Sequence, residues 1–400
     1  MRRAAIVSPV RTAVGTYGGT LRPVPVEKMA AATIKEVLRR TGLDPLRIDD
    51  AVIAQSYANT EAPCIGRYAI LEADLPIEIP GYQLDRRCGS GLQAVLNAAM
   101  MVQTGAADVV LAGGVESMSN AEYYTTDLRW GKRAGSVTMH DRIQRGRERS
   151  QPDWRFGAVP GGMIETAENV AKECNISREE SDAYAVRSHQ RATTAWKNGT
   201  FKDELLPIDV PQPKGDPKQF AHDEGYRADA SMETLAKLRP IMKGGIVTAG
   251  NASQQNDAAA CCLVVAEDKL KELKLDPMGY LVGWAAAGCN PVTMGLGPVP
   301  AVKKLFARTG FNWKEIDLVE LNEAFACQVL GVLKGWGWND PDKLNVNGSG
   351  ISLGHPIAAT GVRILTSMLY EMQRRKAKYG LETMCVGGGQ GLAAIFERAA

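Results

Sequence analysis

Four stretches of this 400-residue chain carry side chains that could do covalent or acid–base chemistry. In YQLDRRCGSGLQAVLNAAMM, Cys88 sits between two arginines and Gly-Ser-Gly. Leu92, Val95, Leu96, Ala99 and Met100 follow at helical spacing. That places a thiol at the start of a helix. Unpaired N–H groups and the helix dipole stabilise an anion there, and would lower the thiol pKa. The plain alternative is a small buried side chain filling space, the usual role of a free cysteine. The glycines favour function modestly, because they admit close backbone approach that a core filler does not require.

His355 lies in NGSGISLGHPIAATG, followed by Pro356, which suits a first helical turn. An imidazole there could take the proton of a nearby thiol. Cys385 lies in TMCVGGGQG after a strand pattern, where glycines leave N–H groups free for an oxyanion or phosphate. In LNEAFACQV, Asn322 could hold a water or donate a hydrogen bond, and Glu323 could do acid–base work. Locally a simpler reading is stronger: a helix N-terminus with Asn322 as cap and Glu323 favouring the dipole. A metal held by Cys88, His355 and Cys385 is set aside, since the spacings match no ligand pattern and no carboxylate accompanies them.

The elements that must position these groups are repeated. Arg40-Thr41-Gly42 and Ile48-Asp49 recur, at one common spacing, as Arg308-Thr309-Gly310 and Ile316-Asp317. Each copy reads as an amphipathic helix, a glycine stop, a short loop and a strand. Residues 88–114 and 355–389 also match: helix, glycine stop, strand, glycines. The same spacing carries Cys88 to the residue after His355. A thiol and an imidazole thus stand at matching helix starts, where a pseudo-twofold axis would let them face each other. Alternating strands and helices imply parallel α/β sheets with helices on their faces, in two halves packed face to face.

Residues 1–118 with 248–270 are read as the first half and 271–400 as the second. Residues 119–247 are read as a domain inserted in the first. The insert holds a basic irregular stretch (127–157), one polar helix from about 165 to 199, and a Pro-, Lys- and Asp-rich loop. Its arginines (129, 133, 142, 145, 147 and 149) read by default as a solvated face. Attraction of a phosphorylated ligand, or a subunit contact, is the functional alternative.

Composition fits such a fold. The chain is 45% hydrophobic, with 47 basic and 45 acidic side chains and a formal net charge of +2. Nothing there points to nucleic acid or an anionic membrane. Eight cysteines without CxxC spacing are neither a disulfide framework nor a zinc pattern, so a reducing compartment is expected. The four-residue apolar run before Ser8-Pro9 is too short for a signal peptide, and no stretch reaches a membrane helix. A cytoplasmic setting is expected.

Taken together, CGSG at 88, GGVESMS at 113–119, AENVA at 167–171, GNAS at 250–253, NEAF at 322–325, GHPIAATG at 354–361 and CVGGG at 385–389 resemble the thiolase family. Those are the acetyl-CoA C-acyltransferases, and the resemblance spans nearly the whole chain. It implies a thiolase-like five-layered α-β-α-β-α fold. It implies reversible CoA-dependent cleavage of 3-ketoacyl-CoA, or condensation of acetyl-CoA to acetoacetyl-CoA, by ping-pong kinetics. Cys88 would be the acyl-carrying nucleophile, His355 its base and Cys385 the second acid–base group. Asn322 would position a water that forms one oxyanion hole with His355. The backbone N–H groups of Cys88 and Gly387 would form the other. Met163, Arg227, Ala249, Ser253 and Phe325 would contact coenzyme A, a substrate, with Arg227 on its phosphates and no other cofactor. Fatty acid metabolism and β-oxidation are the implied setting, and a homodimer or homotetramer the implied assembly.

Three departures from the family pattern stand out: Gly162-Met163 where many short-chain members have His-Met, Ala358 where glycine is usual, and the long arginine-rich stretch at 120–160. They lie where acyl-chain preference or oligomer contacts could be set. Two other readings compete. A decarboxylating ketoacyl synthase would use His–His or His–Asn beside its cysteine, against which Cys385 and Asn322 argue. A non-catalytic CoA- or lipid-binding relative would have lost catalytic residues, and none is lost.

Overall fold

A computed structural model describes residues 2–399. The first half runs β1 Ala4–Thr12, α1 Val26–Thr41, β2 Asp50–Ala54, α2 Ile65–Glu72, β3 Tyr82–Leu84, α3 Ser90–Thr104 and β4 Val109–Ser117. Between β4 and the returning strand come helices α4 Arg142–Glu148, α5 Gly162–Glu173 and α6 Arg178–Lys197, with short strands. β5 Asn256–Ala266 completes the half. The second half runs β6 Pro277–Gly288, α7 Pro298–Thr309, β7 Leu318–Leu321, α8 Ala326–Trp336, α9 Thr360–Arg375, β8 Tyr379–Val386 and β9 Gln390–Arg398.

Pairing repeats with the sequence. The first half has strand order β3-β2-β4-β5-β1 and the second β7-β8-β9-β6. β2 runs parallel to β4 as β7 does to β8, while β5 and β9 are antiparallel to their neighbours. The helix stops recur too: Gly42 ends α1 and Gly310 ends α7, at φ of 63° and 78°. A side chain would be strained in that left-handed region.

Alternation along the strands separates the layers. Val109 and Leu111 of β4 face α1 and α2, while Val110 and Ala112 face α3. In the second half Leu381 and Ile395 face α7 and α8, while Met384 and Phe396 turn inward to α9. The result is α1/α2, sheet, α3/α9, sheet, α7/α8: the five layers expected. Face-to-face packing is only part of the arrangement, because β1 also pairs antiparallel with β6, Ile6 opposite Gly279. The two half-sheets are therefore continuous along one edge.

The two central helices meet at their N-terminal ends. A β-carbon built on Gly361 would lie 2.1 Å from the Leu92 nitrogen, and one on Gly91 would lie 2.5 Å from the Ala358 oxygen. Only glycine allows this approach, which draws the Cys88 and His355 turns together.

The segment between β4 and β5 differs from expectation in two respects. The stretch 127–157, read as irregular, holds α4, started by Asp141 accepting the Ile143 and Gln144 N–H groups, and a short helix at Asp153–Phe156. The single polar helix is two, α5 and α6, broken at Cys174–Ser177. Asn175 adopts φ 50° there, and Ser177 and Glu180 form a capping box that starts α6. The segment is anchored by Arg11 of β1, fully buried, whose guanidinium donates to Glu204 at 2.6 Å and to both Asp223 oxygens at 2.8 and 3.0 Å. Burial pulls the Arg11 pKa down, but Asp223 and Glu204 outweigh it and the net shift is upward. Among the described residues no helix is long and apolar enough to cross a membrane.

Candidate active site

Cys88 lies not in α3 but in the 3-10 turn Arg87–Gly89 just before it. Arg87 holds φ 48°, a left-handed conformation costing a non-glycine residue roughly 1 kcal/mol or more. The turn is pinned around it. Asp85 accepts the Arg87 N–H at 2.7 Å, and Ser90 Oγ accepts the Arg86 N–H at 2.7 Å. Ser56 Oγ donates to the Arg87 carbonyl at 3.2 Å.

The expected lowering of the thiol pKa does not occur. Cys88 is only 8% exposed, and burial pushes its thiol up to about 11. The Gly387 and Cys88 N–H groups, with Arg147 and Arg87 nearby, pull it down without offsetting the burial. A helix terminus lowers a thiol pKa only where burial costs less than the dipole supplies.

His355 stands further from its helix than Pro356 suggests: α9 begins at Thr360, and residues 357–359 form a turn between them. The imidazole is buried, its Nδ1 2.7 Å from Thr360 Oγ1. Its backbone N–H donates to Asn256 of β5 at 2.8 Å. Burial lowers its pKa to about 3, with Arg363 and Arg147 adding to the effect. The resting pair is thus a neutral thiol and a neutral imidazole. Alkylation of Cys88 by iodoacetamide in the substrate-free protein should therefore rise about tenfold per pH unit from 6 to 10. A plateau in that range would instead reveal a standing thiolate–imidazolium pair.

Asn322 is fully buried behind His355, with Nδ2 3.4 Å from both ring nitrogens and Oδ1 unpartnered. It does not cap α8, whose N-cap is Phe325. Nor is Glu323 a dipole partner or a free acid. It accepts from Tyr184 at 2.9 Å, Ser188 at 2.6 Å, Asn345 at 3.2 Å and the Ile351 N–H at 3.2 Å, organising the loop ahead of His355. Cys385, on β8, is fully buried behind the cavity wall. Burial, with Cys88 close by, holds its thiol well above the ordinary range.

Cys88, His355, Gly387, Met163, Ala249, Ser253 and Phe325 all line one cavity of about 330 Å³. Arg227 does not. It lines a neighbouring cavity of about 770 Å³ that shares Ala249, Gln254 and Gln255 with the first. Its guanidinium donates to the Glu224 carbonyl at 3.1 Å.

Three groups escaped the sequence reading. Glu116 of β4 accepts N–H groups of Ser56 at 3.2 Å, Tyr57 at 3.0 Å and Ala358 at 3.1 Å, joining the two halves beside His355. Burial raises its pKa to about 7 against those three donors. Thr360 orients the imidazole. Both lie inside recognisable motifs, GGVESMS and GHPIAATG, but nothing local marks them. Arg147, read as part of a solvated face, lines the active-site cavity.

The departures also find places. A β-carbon on Gly162, at φ 56°, would lie 3.0 Å from Arg147 Cβ, so glycine there makes room for the arginine. Ala358 is fully buried in the core between the halves and off the cavity wall, not at an acyl or oligomer surface. Among the described residues no group of three or more His, Cys, Asp and Glu is arranged to hold a metal ion.

Comparison with known proteins gives a consistent result. The thiolase N-terminal domain model matches residues 4–268 and the thiolase C-terminal domain model residues 275–398. An acetyl-CoA acetyltransferase of Chromobacterium violaceum is 45% identical over 98% of this chain and 99% of its own. A beta-ketothiolase of Cupriavidus necator is 43% identical over 99% of both. Among solved structures, the acetyl-CoA acetyltransferase of Bacillus anthracis superposes with TM-score 0.95 at 39% identity, covering 100% of this chain and 99% of that one. Human mitochondrial 3-ketoacyl-CoA thiolase superposes with TM-score 0.93 at 36% identity, with the same coverage.

Proposed function

The chain belongs to the thiolase family and is a CoA-dependent acyltransferase, and from that premise we propose how its own residues divide the reaction. Cys88 attacks the 3-keto carbon and passes its proton to His355. The C2–C3 bond breaks, and the acetyl-CoA enolate takes a proton at C2 from Cys385. The Cys385 thiolate then takes the proton of incoming CoA, whose sulfur attacks the Cys88 thioester. Cys88 leaves as a thiolate and recovers its proton from His355.

One observation carries this reading: Cys88 and His355 line a single cavity, where the nearby Gly387 and Cys88 N–H groups favour charge on the sulfur. Preorganised donors at that point suit an oxyanion forming on a carbon bonded to Cys88. Asn322, with an unpartnered buried oxygen beside His355, suits the water expected to serve the enolate. Coenzyme A is read as substrate, entering past Ala249 and Ser253 from the Arg227 cavity, with no other cofactor. Self-association as a dimer or dimer of dimers fits Trp130 and Trp154, exposed at 95% and 86% in the segment between β4 and β5. A cytoplasmic place in fatty acid metabolism or β-oxidation belongs to the same reading.

The test is CoA-dependent thiolysis by the pure protein. Turnover of acetoacetyl-CoA is the expected result, and comparable or better turnover of a medium-chain 3-ketoacyl-CoA would assign a degradative role. No cleavage of either would overturn the reading.

A further inference from the structure

Two guanidiniums flank the reactive sulfur. Arg87 precedes Cys88 in the chain, and Arg147 arrives from α4; both are half-buried on the wall of the active-site cavity. No aspartate or glutamate lines that cavity. Neither guanidinium has a carboxylate or hydrogen-bond partner among the described residues. By contrast Arg142 on the same helix is paired with Glu122 at 2.6 Å.

Arg87 also reaches the side away from where CoA is read to enter, and Arg147 follows Gly146, which lines both cavities there. A third cavity, of about 540 Å³, shares Tyr57, Arg87 and Gly146 with the active-site cavity and no residue with the Arg227 cavity. Arg142, Arg145 and Arg149 line it against Asp85 and Glu122. The space beyond Cys88, on the side away from the nucleotide, is therefore lined by more positive than negative side chains.

The two arginines could serve only to favour a thiolate, but Cys88 stays at about 11 with both in place. A neutral acyl chain entering here would strip water from two cations and offer nothing in return. A carboxylate would pair with them, and a guanidinium fork matches its two oxygens. Gly162, which leaves room for Arg147, fits the same purpose.

We propose that the preferred substrate is a 3-oxoacyl-CoA whose acyl chain ends in a carboxylate, held by Arg147 and Arg87. This rests on the thiolase reading above and adds the chemical class of the acyl group.

The test compares two six-carbon substrates of equal length with the full-length protein: 3-oxohexanedioyl-CoA, ending in a carboxylate, and 3-oxohexanoyl-CoA, ending in a methyl. The expected kcat/KM ratio favours the dicarboxylate by about 10- to 100-fold, the scale of a charge-assisted hydrogen bond. Arg147→Gln and Arg87→Gln should each bring the ratio toward one. Equal or better cleavage of 3-oxohexanoyl-CoA by the unaltered protein would overturn the proposal and leave the thiolase reading standing. A dicarboxylate preference that persists in both variants would also overturn it, because the guanidiniums would not be what reads the charge. Cleavage of neither substrate, nor of acetoacetyl-CoA, would overturn the thiolase reading itself and this proposal with it. The ratio in the unaltered protein decides even if a variant fails to fold.

Discussion

Cys88→Ser lowers kcat for thiolysis by at least about 10³-fold, the scale expected when a nucleophile is lost, while coenzyme A still binds. The substitution is nearly isosteric, so the cavity and the Gly387 N–H stay in place and the loss is chemical. His355, buried and with a pKa of about 3, is a weak base. It can accept a thiol proton as the sulfur bonds to carbon, but a hydroxyl holds its proton far more tightly. The product of attack differs too. A thioester returns its acyl group to incoming CoA with little change in bond energy, whereas an ester would trap it. Steady-state thiolysis, calorimetric titration with CoA and mass spectrometry of the protein after incubation with substrate check the three parts. An acyl adduct should appear on the unaltered protein within a turnover and be missing from the variant on that time scale, because the hydroxyl attacks too slowly. Substantial turnover by the serine variant would remove Cys88 from the role.

Much of this site is legible in the sequence, because its signals are local or periodic. The repeat at Arg40-Thr41-Gly42 and Arg308-Thr309-Gly310 marks helix stops, and the structure pairs the same strands in both halves. The matched positions of Cys88 and His355 point to one cavity, which they line. The rest depends on burial and on the reach of long side chains, which no local pattern encodes. At the start of α3 the dipole alone would favour a thiolate on Cys88, but the loss of water outweighs it and burial dominates. Arg147 looks like one more charge in an arginine-rich stretch; only the fold shows which of those arginines turns inward. Glu323 has the composition of a helix start, yet four donors from two distant segments claim its oxygens. Arg227 carries the right charge for a phosphate, but its place in a neighbouring cavity follows from the segment after β4, where propensity says little about packing.

His355→Ala should lower kcat for thiolysis by about 10²- to 10⁴-fold, the range for a positioned general base, and should do so without changing how Cys88 behaves at rest. The second half of that statement follows from the two shifts. With Cys88 at about 11 and His355 at about 3, the proton stays on sulfur in the empty site at neutral pH. His355 acts only once a carbonyl carbon shares the developing charge and the Cys88 and Gly387 N–H groups receive it. Thr360 matters in this step: an Nδ1–H donated to its hydroxyl, 2.7 Å away, leaves Nε2 as the basic nitrogen. The two readouts must therefore separate. Iodoacetamide alkylation of Cys88 in the variant should keep the rising pH profile of the unaltered protein, which also reports that the pocket is intact, while thiolysis collapses. If alkylation slows in step with thiolysis, His355 is already drawing the proton before substrate arrives, and the neutral resting pair is wrong. If neither changes, His355 is not the group that takes the Cys88 proton, and the assignment of the base fails.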